Sequence, residues 1–243
     1  MRVALISDIH GNLLALDAVL AELEREEPDH LVCLGDVVAG PRANDALARI
    51  RDLGCPVIMG NWDAWSVDGM PEPSTKVEQR LYDIGAYWAE RLDGDERDFI
   101  CTFAPTLELE LDGDRKLLCF HGSPNSFDDW IVATTPDEEV AAMLGGYAAP
   151  VLAGGHTHLQ MLRRYSDSLF VNPGSVGLPF EHWAPEEVQV ARRAEYAVLT
   201  ADDGRLAVDL RRTSYDVEAH LRAGLESGMP HAEWWAAGWQ PAA

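Results

Sequence analysis

Lysine is nearly missing from this sequence. Lys76 and Lys116 are the only two, and the arginines bring the cationic total to 19 against 41 acidic side chains, a formal net charge of −22. A nucleic-acid polymer is held by a basic stripe that displaces counterions. No such stripe exists here. The pairs Arg163-Arg164, Arg192-Arg193 and Arg211-Arg212 are the only basic clusters, and they read as solvent-facing ends of strands. Cysteine is scarce as well. Cys33, Cys55, Cys101 and Cys119 show no C-x-x-C spacing, and Cys33 and Cys119 lie in apolar runs where a thiol behaves as a small hydrophobe. A disulfide framework is thereby set aside. No apolar run reaches the length of a membrane span. The first apolar segment is too short for a signal peptide and has no small-residue cleavage site. The expectation is a soluble, cytoplasmic protein with no membrane partner, either a monomer or a homo-oligomer.

What is present is apolar residue in quantity, 47% of 243 positions, enough for a sizeable core without staples. Residues 3–7 read as a strand. Leu13, Leu16, Leu20 and Leu23 then recur at helical spacing before Pro28. Residues 30–34 give a strand, 44–53 a helix and 56–59 a further strand. This alternation predicts a parallel sheet with ligand-binding loops at its carboxyl edge. A helix is expected over 77–92 and a hairpin over 106–111 and 115–120 about Asp112-Gly113. Another helix opens at Thr135-Pro136-Asp137. Strands follow at 151–153, 161–165, 169–172, 196–200 and 205–210, then a final helix after Asp216. No repeat, linker or low-complexity stretch divides residues 1–243, so a single domain is expected. The pattern is α/β, with two sheets packed face to face and helices outside. The first half would supply one sheet and the hairpin-rich second half the other.

Five short motifs stand where strands hand over to loops: Asp8-Ile9-His10, Gly35-Asp36, Gly60-Asn61, His121-Gly122 and Gly154-Gly155-His156-Thr157-His158. Asp, Asn and His are the oxygen and nitrogen donors that divalent transition metals take. Singly, each has a plainer reading. Asp8 can cap a turn, His10 can be a hydrogen-bonded core histidine, and G-D and G-N are ordinary turn chemistry. Three histidines in two strand-terminal loops are harder to assign to packing in a chain with eight. Glycines beside them permit close backbone approach to a ligand. A negatively charged protein can still bind phosphate at such a place, because two divalent cations set the sign of the local field.

The ordered set D-x-H, G-D, G-N, H-G and G-G-H-T-H resembles the calcineurin-like metallophosphoesterase family. Asn172-Pro173-Gly174-Ser175 is similar to the N-P-G-S loop of its small bacterial and archaeal phosphodiesterases. The resemblance implies a four-layer α/β/β/α sandwich. It also implies one metal held by Asp8, His10 and His158, another by Asn61, His121 and His156, and Asp36 bridging both. The metals would be Mn, Fe, Zn, Co or Ni, with Mn favoured. Hydrolysis would proceed by metal-bound hydroxide, since metal binding can lower the pKa of water to roughly 7. Asp36 and Asn61 would act catalytically through the metals and the phosphate. The expected activity is that of a phosphodiesterase on a small soluble phosphoester or nucleotide. The alternatives are a phosphatase, a dinucleoside polyphosphate hydrolase, or a non-catalytic scaffold of the same fold.

The chain departs from the family at one position. Many members read G-N-H-D or G-N-H-E, and that histidine serves the leaving group. Here it is Trp62, whose indole donates a hydrogen bond but no proton near neutral pH. Such a site favours good leaving groups, and Asp63 loses the partner it has in those members. Trp62 either stacks on a base or packs. His182 is a candidate substitute donor or an exposed loop histidine. Asn12, Ser123 and Asn125 are candidate substrate contacts, with loop capping the alternative for Ser123 and Asn125. Trp234, Trp235 and Trp239 are expected to seal the core or a dimer contact.

Overall fold

The computed structural model describes residues 1–113, 115–184 and 187–239, with the side chains of 182–187 outside that description. The chain opens with β1 (Arg2–Ile6), crosses through α1 (Leu13–Glu26) and returns in parallel as β2 (His30–Cys33). In β1 the period of two sorts four apolar residues onto opposite faces. Val3 and Leu5 point to one side of the sheet, Ala4 and Ile6 to the other, and all four are buried. A strand buried on both faces needs cover on both. On one side, Ala4 and Ile6 meet Leu16, Val19 and Leu20 of α1 and Leu47 and Ile50 of α2 (Ala43–Leu53).

The other side faces a second sheet. It holds β3 (Leu107–Glu110), β4 (Lys116–Cys119), β5 (Val151–Ala153), β6 (Met161–Tyr165) and β7 (Ser168–Asn172) in the order β3-β4-β5-β7-β6. Val3, Leu5, Val32 and Leu34 pack there against Leu117, Cys119, Val151, Ala153 and Val171. The far face of that sheet places Leu118, Phe120, Leu152 and Phe170 under Val140 and Leu144 of α6 (Asp137–Leu144). Helix, sheet, sheet, helix: the four layers expected from the sequence are present, and both sheets are mixed.

Strand membership differs from the expectation. The two sheets do not divide the chain into halves. The hairpin of β10 (Ala194–Asp202) and β11 (Arg205–Thr213) returns to the first sheet, giving the order β11-β10-β1-β2. Val3 pairs antiparallel with Leu199, so the long hairpin covers the edge of β1 that β2 leaves open. Residues 56–59 make single bridges, Cys33 to Val57 and Ile58 to Ala104, rather than a strand. Pro56 has no N–H to extend the ladder. The helix expected at 77–92 is α4 (Lys76–Ala89), set by a reciprocal Thr75–Glu78 capping box. Helices α3 (Asn61–Asp68) and α5 (Gly94–Ile100) and the hairpin of β8 (Phe180–Ala184) and β9 (Glu187–Val190) carry too little apolar periodicity to announce themselves.

Near the carboxyl end, α7 (Val217–Glu226) and α8 (Ala232–Ala237) close over an aromatic cluster. Trp235 and Trp239 each stand with ring centroids 5.3 Å from His220, and Trp239 is fully buried. Trp234 instead lies under the Arg80 guanidinium. Burial pushes His220 down to about 3. A histidine whose folded pKa lies below its unfolded value contributes stability above about pH 6.5, lost as pH falls toward 3. The expected cost is roughly 1.4 kcal/mol per pH unit in that window. Urea melts at pH 7.5 and 4.5 should therefore show a smaller acid loss for His220→Phe than for the parent chain. Equal losses would place the acid sensitivity elsewhere.

Candidate metal centre

Five turns at the carboxyl edges of the two sheets converge on one point. Asp8 and His10 follow β1, Asp36 follows β2, Asn61 opens α3, His121 follows β4, and His156 and His158 follow β5. The turns are tied together through their backbones. The Asp8 N–H donates to the Gly35 carbonyl at 2.9 Å, the Ile9 and His10 N–H groups both donate to that of Asp36, and the Gly155 N–H donates to that of His121. Five of the seven side chains stand on left-handed backbone: Asp8 (φ 55°), His10 (47°), Asp36 (55°), His156 (66°) and His158 (58°). Such conformations disfavour ordinary L-residues and concentrate where the surrounding structure holds a site in place. The fit leaves no room beside them. A Cβ on Gly60 would lie 2.1 Å from Asp36 Oδ1, and one on Gly155 would lie 2.0 Å from Ser7 Oγ.

Each carboxylate divides its two oxygens in the same way. Asp8 Oδ2 accepts the His156 N–H at 3.1 Å, and Asp36 Oδ1 accepts the Trp62 N–H at 2.9 Å. The other oxygens, Asp8 Oδ1 and Asp36 Oδ2, are buried with no hydrogen-bond donor. Both face imidazole nitrogens. Asp8 Oδ1 lies 3.2 Å from His158 Nε2, and Asp36 Oδ2 lies 3.4 Å from His121 Nε2 and 3.7 Å from His10 Nε2.

The imidazoles are oriented from behind. Nδ1 of His121 donates to the Leu34 carbonyl and Nδ1 of His158 to the Leu178 carbonyl, both at 2.7 Å. That fixes the tautomer and turns each Nε2 lone pair inward. His158 Nε2 then meets His10 Nε2 at 3.1 Å. On the other side, Asn61 Oδ1 lies 3.1 Å from His121 Nε2 and 3.0 Å from His156 Nδ1. With their Nδ1 atoms committed to carbonyls, the Nε2 atoms of His121 and His158 face carboxylate oxygens across a buried gap, an arrangement that a cation resolves. The donors fall into two groups, Asp8, His10, Asp36 and His158, and Asp36, His121 and His156. Within each group the ligand atoms lie within 4.8 Å of one another, and Asp36 belongs to both.

The electrostatics agree with the geometry. Burial alone would raise the two carboxyls, but the surrounding imidazoles outweigh it and hold Asp8 and Asp36 below the ordinary range. Burial would lower His121, yet Asp36 and Asp8 push it up to about 10. His10 and His156 go the other way, each down to about 4, through burial and then a neighbouring imidazole. The cluster attracts positive charge and keeps two of its histidines neutral for coordination.

Asp63 is a positioning residue that sequence reasoning missed. It keeps partners without a histidine before it. Oδ2 accepts N–H groups from Asp36 (2.7 Å) and Gly60 (3.3 Å), and Oδ1 those of Val37 (2.9 Å) and Val38 (3.2 Å). Fully buried, it clamps the Asp36 turn to the start of α3, and burial followed by Asp36 pushes it up to about 7. The N-P-G-S loop also acts from behind. Asn172 Nδ2 donates to the Gly155 carbonyl, and Ser175 Oγ donates to that of Asp8, both at 2.7 Å.

Asn12, Ser123, Asn125 and the Trp62 ring sit outside the donor cluster. Asn12 caps α1 by accepting the Ala15 N–H, and its amide donates to the Gly177 carbonyl and the Tyr215 hydroxyl. Ser123 accepts N–H groups from Asn125 and Ser126 and donates to Asp129, while Asn125 donates to the Met143 carbonyl. Ser123 caps its own loop, and Asn125 reaches the last turn of α6. The Trp62 ring meets His10 edge-on at 6.2 Å and Trp65 at 5.2 Å, and it lies against Gly85 of α4. The His182 side chain lies outside the described residues.

The chain belongs to the calcineurin-like phosphoesterase superfamily, whose domain profile matches residues 1–204. It is 25% identical to the uncharacterized protein MJ0912 of Methanocaldococcus jannaschii over 249 residues, 96% of this chain and 94% of that one. It is 29% identical over 197 residues to the symmetrical bis(5'-nucleosyl)-tetraphosphatase of Pectobacterium carotovorum, spanning 79% of this chain but 61% of that protein. A metallophosphoesterase from Sphaerobacter thermophilus superposes with a TM-score of 0.75 at 25% identity, covering 98% of this chain and 99% of that one. The hypothetical protein PH1004 of Pyrococcus horikoshii has the same fold, with a TM-score of 0.74 at 22% identity and 94% of each chain covered.

The Asp63 clamp yields a direct test. An asparagine there keeps one acceptor and adds an NH₂ that faces backbone N–H groups. Asp63→Asn should keep the fold by circular dichroism but lower Mn²⁺ affinity about 10- to 100-fold in calorimetric titration, as for other residues that orient ligands from behind. Unchanged affinity would make the clamp a folding device only.

Proposed function

We propose that the chain is a two-metal phosphodiesterase acting on a small soluble phosphoester. One observation carries the reading: two buried, donorless carboxylate oxygens and several inward lone pairs fall into two groups joined by Asp36. Asp8, His10 and His158 would hold one divalent ion, and Asn61, His121 and His156 the other, with Asp36 between them. The mixed nitrogen and oxygen set suits Mn, Fe, Zn, Co or Ni, and Mn is favoured. Such a pair lowers the pKa of a coordinated water and neutralises charge on the phosphate during in-line displacement.

The chain's own residues do the remaining work. Leu34 and Leu178 carbonyls hold His121 and His158 in register, Asp63 holds the Asp36 turn, and the buried walls exclude bulk water. No histidine stands after Asn61 to protonate a leaving group, so esters whose leaving groups depart as anions are the better substrates. Hydrolysis of bis(p-nitrophenyl) phosphate by chelator-stripped protein should be near background and return with Mn²⁺, faster than that of p-nitrophenyl phosphate. Faster monoester cleavage would make it a phosphatase, and no metal-dependent cleavage of either would overturn the reading. Asp36→Asn should lower the restored rate at least 100-fold.

A dinucleoside polyphosphate hydrolase is the second reading, favoured by the alignment with the Pectobacterium tetraphosphatase across 79% of this chain. The missing acid gives its own test. Trp62→His should raise the rate on alkyl phosphodiesters while leaving that on bis(p-nitrophenyl) phosphate within about threefold. No gain on alkyl esters would remove Trp62 as the cause of the preference.

A further inference from the structure

Past His121 the chain doubles back along the centre. Gly122 permits the return: a Cβ there would lie 2.7 Å from the Phe127 carbonyl oxygen, 2.8 Å from the Asp129 nitrogen and 2.9 Å from the Asp129 carbonyl oxygen. The backbone on both sides of Asp128 is therefore pressed against the residue that follows His121. The loop is fixed from within. The Ser123 N–H donates to the Ser126 carbonyl at 2.8 Å, Ser126 Oγ accepts the Asp128 N–H at 3.1 Å, and the Ser123 hydroxyl donates to the Asp129 carboxylate at 2.6 Å. The next residue, Trp130, meets the His156 imidazole edge-on, with ring centroids 5.5 Å apart. Residues 127–130 thus run along the side of the centre that His121 and His156 form, with Asp128 between the two contacts. The adjacent carboxylates are used differently. Asp129 is bound back to Ser123. Asp128 is an exposed residue, and among the described residues its carboxylate has no hydrogen-bond or ion-pair partner. Partial shielding from water and then Asp36 raise that carboxyl above the ordinary range, against a lowering by His121, and Asp129 comes after both. The charges it feels most are in the donor cluster, not beside it in the chain.

A carboxylate with no cation of its own extends its field to whatever the cluster binds. For a phosphoryl group, the effect depends on charge. A phosphodiester carries one negative charge near neutral pH, and a phosphomonoester approaches two. A cationic centre attracts the dianion more strongly, so its attraction alone favours the monoester. A fixed negative charge alongside works in the other direction and in proportion to charge. Whatever factor it costs the monoanion in affinity, it costs about the square of that factor for the dianion. Discrimination by repulsion of this kind is as general as discrimination by attraction. We propose that Asp128 is a specificity-determining residue, which tilts the centre toward phosphodiesters by penalising the second negative charge of a monoester. The inference rests on the phosphodiesterase reading and gives its diester preference a physical cause. It is independent of Trp62, because Asp128 acts on the charge of the phosphoryl group and Trp62 on the leaving group.

Two phosphonates read this without turnover. In mildly alkaline buffer phenylphosphonate is a dianion and its methyl ester a monoanion, and each can be titrated calorimetrically into the manganese-restored chain. Asp128→Asn should tighten the dianion more than the monoanion, raising the ratio of their association constants about three- to tenfold. Asp128→Glu keeps the charge and should leave the ratio within about twofold of the parent value. Added salt should narrow the difference between parent and Asp128→Asn, because an exposed charge is screened. The loop is held through the Asp128 N–H and not its carboxylate, so both variants should keep the parent's circular dichroism. An unchanged ratio in Asp128→Asn, an equal rise in Asp128→Glu, or a parent that binds neither phosphonate would overturn the assignment. Manganese-restored cleavage of bis(p-nitrophenyl) phosphate beside any of these failures would leave the phosphodiesterase reading standing. A shifted ratio in a chain that cleaves no ester would do the reverse, sinking that reading and leaving an anion site tuned by Asp128.

Discussion

Two carboxylate oxygens, Asp8 Oδ1 and Asp36 Oδ2, are buried without a donor, and much of the surrounding structure is arranged about them. An unsatisfied buried acceptor is costly, and a charged one costs more than a neutral one. Proteins usually avoid the cost by supplying an N–H. Here N–H groups are at hand and are spent on the opposite oxygens, from His156 to Asp8 and from Trp62 to Asp36. The inner oxygens are left facing imidazole nitrogens whose own hydrogens point away to Leu34 and Leu178. Positive charge is what this arrangement accepts, and the rise of His121 to about 10 expresses the same demand through a proton.

Such a cluster opposes folding, so the fold must hold it against its own repulsion. The four-layer core supplies the stability and the turns supply the geometry. Asp8, Asp36 and His156 adopt left-handed backbone where the strand ends are tied to neighbouring turns by backbone hydrogen bonds. Asp63 then fixes the Asp36 turn with four N–H contacts, and Ser175 and Asn172 brace the Asp8 and Gly155 loops from the second sheet. The donors touch each other, while the braces grip backbone, with Asn172 also donating to Thr157 Oγ1. That difference explains why substituting a brace should weaken ligand binding without removing a ligand.

The same difference decides what could be read from the sequence. Donor residues announce themselves through chemistry: Asp8, His10, Asp36, Asn61, His121, His156 and His158 are the right types after apolar runs, and the structure brings all seven together. Braces do not. Asp63 is an ordinary helix-opening aspartate until its four backbone partners are seen, and those partners lie 25 to 27 positions away for three of its bonds. Sheet order was hidden for a similar reason. Nothing local in the 194–213 hairpin says that it pairs with β1, because apolar alternation specifies a face and not a neighbour. Helix α3 escaped notice because its inward residues, Asn61, Asp63 and Ser66, are polar and serve the site rather than an apolar stripe.

Charge sets the final constraint on what reaches the site. The net charge of −22 repels polyanions at long range. The attraction for a phosphate is therefore confined to the donor cluster and whatever divalent ions it holds, over distances comparable to a Debye length of about 8 Å. A long nucleic acid would carry many charges across repelling surface to place one at the centre. On the proposed reading, a small ester would bring its charge to the centre without crossing that surface. The acidic exterior and the buried cluster would thus select for size together.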